Sequence, residues 1–255
     1  MKLCRYKLNN QIGFGVIEGD NISPILGFPK ASDLENQIIR NKTYKTSEAQ
    51  ILLPTRPSKI VCVGRNYAEH AKELGNEVPK EPLLFLKAPS AIIGNGEKIV
   101  IPPQSEQVEH EGELGIVIGK KCKNLSENDN PFEYVLGYIC LNDVTARDLQ
   151  RKDVQFTRAK SFDTFCPISN FIETDLDVSD IRVTTKVNGI IKQDGRTSQM
   201  VFPVSFLIKY ISNQMTLNPG DIIATGTPSG VSKLNSGDIC EIEIEGLDIL
   251  QNSVK

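Results

Sequence analysis

The stretch from Val108 to Asp148 constrains the chain most. Glu109-His110-Glu111-Gly112-Glu113-Leu114-Gly115 runs directly into Ile116-Val117-Ile118, and a second apolar run, Tyr138-Ile139-Cys140-Leu141, ends at Asn142-Asp143. On a strand, alternation places Glu109, Glu111 and Glu113 on one face and His110 on the other. Like charges that close repel unless something positive lies between them. Asp143 arrives at the end of another apolar strand. Carboxylates gathered from two strand ends make an oxygen cage suited to a hard divalent cation. A solvated acidic edge strand would carry the same Glu-x-Glu. This one continues into a buried-looking strand instead of more polar sequence. Spacing alone leaves all three glutamates as candidates.

The chain has 255 residues, 39% apolar and 24% charged, with a net charge of -3. That fits one large domain, or one domain plus a small one, with a substantial core. No basic block points to nucleic acid. No apolar run reaches the length of a membrane span, and the N-terminus lacks an apolar signal core, so a cytoplasmic protein without membrane partners is expected. None of Cys4, Cys62, Cys122, Cys140, Cys166 and Cys240 forms a Cys-x-x-Cys pair. They read as reduced, buried small hydrophobes. Cys166, beside Pro167, is the one to weigh as a nucleophile.

Residues 1–53 read as a small β-rich unit. Lys2 to Tyr6, Ile12 to Glu18 and Asn21 to Ile25 are predicted strands, with turns at Asn9-Asn10 and Gly19-Asp20. Ser32 to Ile39 is a predicted short helix. Pro54-Thr55-Arg56-Pro57 breaks the pattern, and residues 58–255 follow as the larger unit. Ile60 to Val63 is a buried strand ending at Gly64. Ala68 to Leu74 suits a two-turn helix stopped by Gly75. His70 and Glu73 share a face of it. Such a pair is often a surface contact of little consequence. Here the helix lies between two glycines after a strand end, where a mobile lid also fits. Asn188-Gly189 predicts a hairpin after Val183. Gly195 to Met200 reads as a loop, and Val204 to Ile211 has helical periodicity. Lys160, in Ala159-Lys160-Ser161-Phe162-Asp163, is by itself an exposed loop lysine. Thr225-Gly226-Thr227-Pro228-Ser229-Gly230 could offer N–H groups to a carboxylate, but lacks the lysine of a phosphate loop.

Six motifs in order resemble the fumarylacetoacetate hydrolase family, in its smaller acylpyruvase and oxaloacetate decarboxylase-like members. They are Val-Gly-Arg-Asn-Tyr-Ala-Glu-His at 63–70, Phe-Leu-Lys at 85–87, Glu-Gly-Glu-Leu-Gly at 111–115, Asn-Asp-Val-Thr-Ala-Arg-Asp at 142–148, Ala-Lys-Ser-Phe-Asp at 159–163 and Thr-Gly-Thr-Pro-Ser-Gly-Val at 225–231. The resemblance implies a mainly β fold with few helices: a catalytic domain of stacked mixed sheets (a β-roll), preceded by a small N-terminal β domain, in homodimers. It implies Mg²⁺ or Mn²⁺ on Glu111, Glu113 and Asp143, with Glu109 left as a flanking residue and His110 as structural. It places His70, Glu73 and Lys160 as catalytic residues. Arg65, Tyr67, Arg147, Gln150 and the Thr225-Gly226-Thr227 loop fall near the substrate. The implied activity is hydrolysis or decarboxylation of a short 2-oxo or 2,4-dioxo acid through a pyruvate enolate. An isomerase or tautomerase on the same site is the first rival, and a non-catalytic metabolite-binding protein the second.

Overall fold

Asn9 and Asn10 both sit at positive φ, 48° and 63°. That is the backbone a two-residue hairpin needs to match the right-handed twist of its strands. Strands Lys2–Leu8 and Gln11–Glu18 accordingly pair antiparallel, and Asn21–Ile25 adds to them. The computed structural model describes residues 1–255. The predicted helix after Ser32 is one short turn, Leu34–Gln37.

These N-terminal strands do not form a sheet of their own. Strand Lys2–Leu8 also pairs with Phe171–Glu173, which joins the N-terminal meander to the central strands. The result is an eleven-stranded mixed sheet. From its middle outward it runs Val135–Asn142, Gly112–Ile118, Ile222–Ala224, Ile60–Gly64 and Leu83–Lys87. Ile222–Ala224 and Ile60–Gly64 are parallel; their other neighbours are antiparallel. A second, five-stranded sheet holds Arg182–Val187, Ile190–Arg196, Ile239–Ile244, Leu250–Val254 and Lys98–Ile99. The Asn188-Gly189 hairpin joins its first two strands, with φ of 53° and 77°. The strand after that turn runs on to Arg196, so only the end of the expected 195–200 loop is irregular. Gly195 and Arg196 pair with Val183 and Arg182.

The two sheets stack. A Cβ on Gly112 would lie 2.2 Å from Thr185 Oγ1 and 3.0 Å from Ile242 Cδ1, both on the second sheet. Both central strands are buried along their whole length. That is why Gly112-to-Ile118 and Val135-to-Asn142 read as continuous apolar runs instead of alternating ones. Each fully buried Leu, Ile or Val there contributes about 1.5–3 kcal/mol. The longest helix, Val204–Gln214, buries Val204, Leu207, Ile208 and Ile211. No helix is long and apolar enough to cross a membrane. All six cysteines are free and buried.

The contact at Gly112 gives a direct test. Gly112→Ala is expected to lower the stability of the fold by about 1–3 kcal/mol, since buried Thr185 leaves the methyl no room. Urea unfolding measures it, and Thr185→Ala in the same chain should recover part of the loss. An unchanged midpoint in Gly112→Ala would show that the sheets separate freely here.

Candidate active site

Strand parity sets the first two acids. Gly112 faces the second sheet, so Glu111 and Glu113 face away from it, into a cavity of about 340 Å³. Pairing sets the third. Gly112 lies opposite Asn142, and the Asp143 N–H donates to the Glu111 carbonyl at 2.8 Å. The three carboxylates each offer an oxygen within 4.8 Å of the others, and all three residues are buried.

Three basic side chains hold this cluster together. The expectation of an exposed Lys160 from local sequence is corrected: it ends the short helix Thr157–Lys160 and is only 1% exposed. Its Nζ donates to Glu111 Oε2 at 2.7 Å and to Asp143 Oδ2 at 2.6 Å, and lies 5.0 Å from the Phe85 ring centre. Lys87, equally buried, donates to Asp143 Oδ1 at 2.5 Å and to the Val144 carbonyl at 3.1 Å. Arg147 opens helix Arg147–Lys152 and spreads its guanidinium over Glu109 (2.7 Å), Glu111 and Gln150 (2.5 Å). Glu109 therefore acts on the site through Arg147. Its other oxygen accepts from Gln107 at 2.5 Å.

The acids differ in their protons. Burial pushes Glu111 up, but Lys160 and Arg147 outweigh it and hold its carboxyl well below the usual range. Glu113 goes the other way. Burial, then the Asp143 and Glu111 charges, raise it well above the ordinary value, and the Gly226 N–H at 2.7 Å offsets only part of this. Lys160 is raised although burial opposes it, because Asp143 and Glu111 hold its proton.

The helix Ala68–Glu73 closes one side of the cavity. His70 is 4% exposed, and its Nδ1 lies 3.3 Å from Glu73 Oε2. Both Glu73 oxygens accept from the Gly230 N–H, at 3.0 and 3.2 Å. Gly230 sits at φ 103°, and a Cβ there would meet the Lys192 carbonyl at 1.9 Å. Only glycine fits. His110 is a different matter. It is fully buried, Nδ1 donates to Gln193 Oε1 at 3.1 Å, and Nε2 accepts from the Ser232 hydroxyl at 2.9 Å. Burial lowers its pKa, so it is neutral and ties strands together.

The cavity thus brings together Arg65, His70, Glu73, Glu111, Glu113, Asp143, Arg147, Gln150, Lys160 and Thr227. Tyr67, Thr225 and Gly226 lie outside its lining. Thr225 gives both its hydroxyl and its N–H to the Leu114 carbonyl, and Gly226 gives its N–H to Glu113. Their contacts shape the strand ends that carry the acids. Thr227 donates to the Gly112 carbonyl at 2.8 Å and accepts from Gln193 at 2.6 Å. Tyr67 is buried with its hydroxyl unpaired. Cys166 is buried, and that burial pushes its thiol up to about 12, the wrong direction for a nucleophile. Sequence reasoning assigned no role to Lys87 or Asn66. Lys87 lay in a quoted motif, and its signal was a lysine closing an apolar strand. Asn66 is buried and bonds Phe202 and Thr225, directly after Arg65, whose φ is 58°.

A mainly β architecture with a buried cluster of acids and bases opening to one cavity defines the class as a small-molecule enzyme scaffold. Residues 59–255 match the family described as fumarylacetoacetate (FAA) hydrolase, C-terminal, and residues 1–54 match the one described as Rv2993c-like, N-terminal. The chain belongs to the fumarylacetoacetate hydrolase family, whose members include hydrolases, decarboxylases and isomerases. It is 49% identical to the mitochondrial oxaloacetate decarboxylase of Dictyostelium discoideum, over 74% of this chain and 90% of that one. It is 43% identical to the mitochondrial oxaloacetate tautomerase FAHD2A of Homo sapiens, over 82% and 70%. Among solved structures, 5-carboxymethyl-2-hydroxymuconate delta-isomerase from Mycobacterium smegmatis superposes with a TM-score of 0.88 at 40% identity, covering 100% of this chain and 99% of that one.

Proposed function

We propose that the chain is a divalent-cation-dependent enzyme that breaks a carbon–carbon bond of short 2-oxo or 2,4-dioxo acids. Acylpyruvates, fumarylpyruvate and oxaloacetate are the candidate substrates, and hydrolysis or decarboxylation the reaction. The observation that carries this reading is the meeting of three buried carboxylates, a buried lysine and an oriented imidazole in one cavity.

The donor set fits the ion. All three candidate ligands are hard oxygens, which suit Mg²⁺ or Mn²⁺. With Glu109 there are four carboxyl groups beside the three cations Lys87, Arg147 and Lys160; with Glu113 protonated the charges balance, and a dication would take the place of the Glu113 proton. Glu111, Glu113 and Asp143 would hold it. A bound cation would supply Lewis acidity toward a 2-oxo oxygen and the negative charge that develops there. Cleaving the C3–C4 bond of a 2,4-dioxo acid leaves the electron pair on C3, as a pyruvate enolate. Lys160 places fixed positive charge where that enolate forms. Nδ1 of His70 is committed to Glu73, so Nε2 is the nitrogen that takes the proton of the water attacking C4. Decarboxylation uses the same enolate and no water.

A tautomerase or isomerase remains as the second reading, favoured by the two relatives of that kind. It would move a proton between carbons with the same groups. A panel with Mg²⁺ separates the two: acetylpyruvate, fumarylpyruvate, keto and enol oxaloacetate, and a homoprotocatechuate-pathway dienoate. Pyruvate release supports cleavage. Loss of enol absorbance without pyruvate supports tautomerisation. No turnover, together with no calorimetric Mg²⁺ binding at millimolar metal, overturns both.

Cation affinity should also depend on pH. The raised Glu113 keeps its proton to higher pH than an ordinary carboxyl, and a cation must displace that proton. Affinity therefore rises with pH, up to about tenfold per unit below the Glu113 pKa, and levels off above it. Calorimetry in buffers of different ionisation enthalpy should show about one proton released per cation. Affinity that is flat from pH 5 to pH 8 would remove Glu113 from the ligand set.

A further inference from the structure

The segment from Thr227 to Ser232 has no helix or strand of its own. Thr227 nevertheless lines the cavity, and the Gly230 N–H holds both oxygens of Glu73. Two buried side chains fix this segment from behind. Gln193, on strand Ile190–Arg196, donates to Thr227 Oγ1 at 2.6 Å and to the Pro228 carbonyl at 2.7 Å. His110 takes the other end. Its Nε2 accepts from the Ser232 hydroxyl at 2.9 Å, and its N–H donates to the Ser232 carbonyl at 3.4 Å. The two residues are themselves joined: Gln193 Oε1 accepts from His110 Nδ1 at 3.1 Å and from the Gly112 N–H at 3.0 Å. Both donors and both lone pairs of the Gln193 amide are thereby used. Gly230 lies midway between the anchors, flat against the strand. A Cβ there would stand 1.9 Å from the Lys192 carbonyl and 3.2 Å from Gln193 Cα. Neither His110 nor Gln193 lines the cavity.

We propose that His110 and Gln193 are positioning residues, a two-point clamp that sets the Gly230 N–H where it meets Glu73, and through Glu73 orients His70. This rests on the reading of His70 as the base toward water. The helix that carries His70 and Glu73 has six residues, too few to hold its shape alone. Its Glu73 end needs a fixed partner from elsewhere in the fold. The clamp supplies one from the second sheet, although the helix itself follows strand Ile60–Gly64 of the first. A fully bonded buried amide has one orientation open to it, so the segment it holds has one position.

Hydrogen–deuterium exchange of the protein without substrate or Mg²⁺ reads the clamp directly. Gln193→Glu keeps an acceptor for His110 and Gly112 but loses both donors to the segment. Exchange should rise about tenfold at residues 68–74, the scale of one lost hydrogen bond to a charged group, and stay at the wild-type rate in strand Ile60–Gly64. Glu73→Ala should give the same rise, and the double variant no more than either single change. Ser232→Ala cuts only the His110 Nε2 anchor. It should give a smaller rise in the same place, and it carries the test if circular dichroism shows Gln193→Glu unfolded. Hydrolysis of acetylpyruvate should follow the same pattern: kcat falls in Gln193→Glu about as far as in Glu73→Ala, and no further in the double variant. Unchanged exchange at 68–74 in the folded variants, a rise shared by Ile60–Gly64, or effects that add to those of Glu73→Ala would each overturn the clamp. Absence of any hydrolysis in the wild type would overturn the reading of His70 as base, while the exchange result still decides the clamp.

Discussion

Asp143→Ala should be the most damaging single change at the site. Asp143 is fully buried and takes one lysine on each oxygen, Lys87 at 2.5 Å and Lys160 at 2.6 Å. Removing it leaves two buried ammonium groups short of their shared carboxylate. Breaking a buried pair in this way costs about 3–5 kcal/mol. The cation would lose a ligand, and turnover should fall by about a thousandfold or more, the scale of a lost charge-stabilising group in a dry site. The two effects can be separated. Asp143→Asn keeps the shape and two polar atoms, so it should retain more stability than the alanine variant but recover little turnover. Urea unfolding gives the first quantity and initial rates with saturating Mg²⁺ the second. Full turnover in folded Asp143→Asn would exclude Asp143 as a ligand.

The legibility of the site follows from what each residue depends on. Glu111 and Glu113 were readable because strand parity is a local rule, and the apolar run behind them marked the strand as buried. Parity could not choose among Glu109, Glu111 and Glu113. What separates Glu109 is that its two oxygens are taken by Arg147 and Gln107, while Glu111 also meets Lys160 and gathers with Glu113 and Asp143, contacts between residues distant in sequence. His110 could be placed on the opposite face by the same parity, and its buried contacts with Gln193 and Ser232 agree. Lys160 was not readable from its neighbours, because its burial comes from Glu111, Asp143 and the Phe85 ring, all from other parts of the chain. The hairpins at Asn9-Asn10 and Asn188-Gly189 were legible for the opposite reason: positive φ at two adjacent positions is a local demand. The joining of the N-terminal strands to the main sheet was not. It rests on the pairing of Lys2–Leu8 with Phe171–Glu173, and no property of either strand names the other as its partner.

The second large effect is expected at His70, and it should have a different signature. His70→Ala removes the group that would take the proton of water, so hydrolysis of an acylpyruvate should slow by about a hundredfold to ten-thousandfold. His70 donates nothing to Glu111, Glu113 or Asp143 among its hydrogen bonds, which go through Nδ1 to Glu73. The Mg²⁺ dissociation constant from calorimetry should therefore stay within about threefold of the wild-type value, the ordinary scatter of such substitutions. Oxaloacetate decarboxylation, which needs no attacking water, should suffer less than hydrolysis. Glu73→Gln tests the orientation. It keeps a hydrogen-bond partner for the imidazole and loses only the charge beside it, so it should lower kcat for hydrolysis by less than His70→Ala does, with KM near the wild-type value. Three results would be informative against this assignment. Normal hydrolysis in His70→Ala would remove it from the chemistry. Loss of Mg²⁺ binding would make its role structural. Equal loss of hydrolysis and decarboxylation would move its action from the water to the enolate carbon, where a tautomerase would need it.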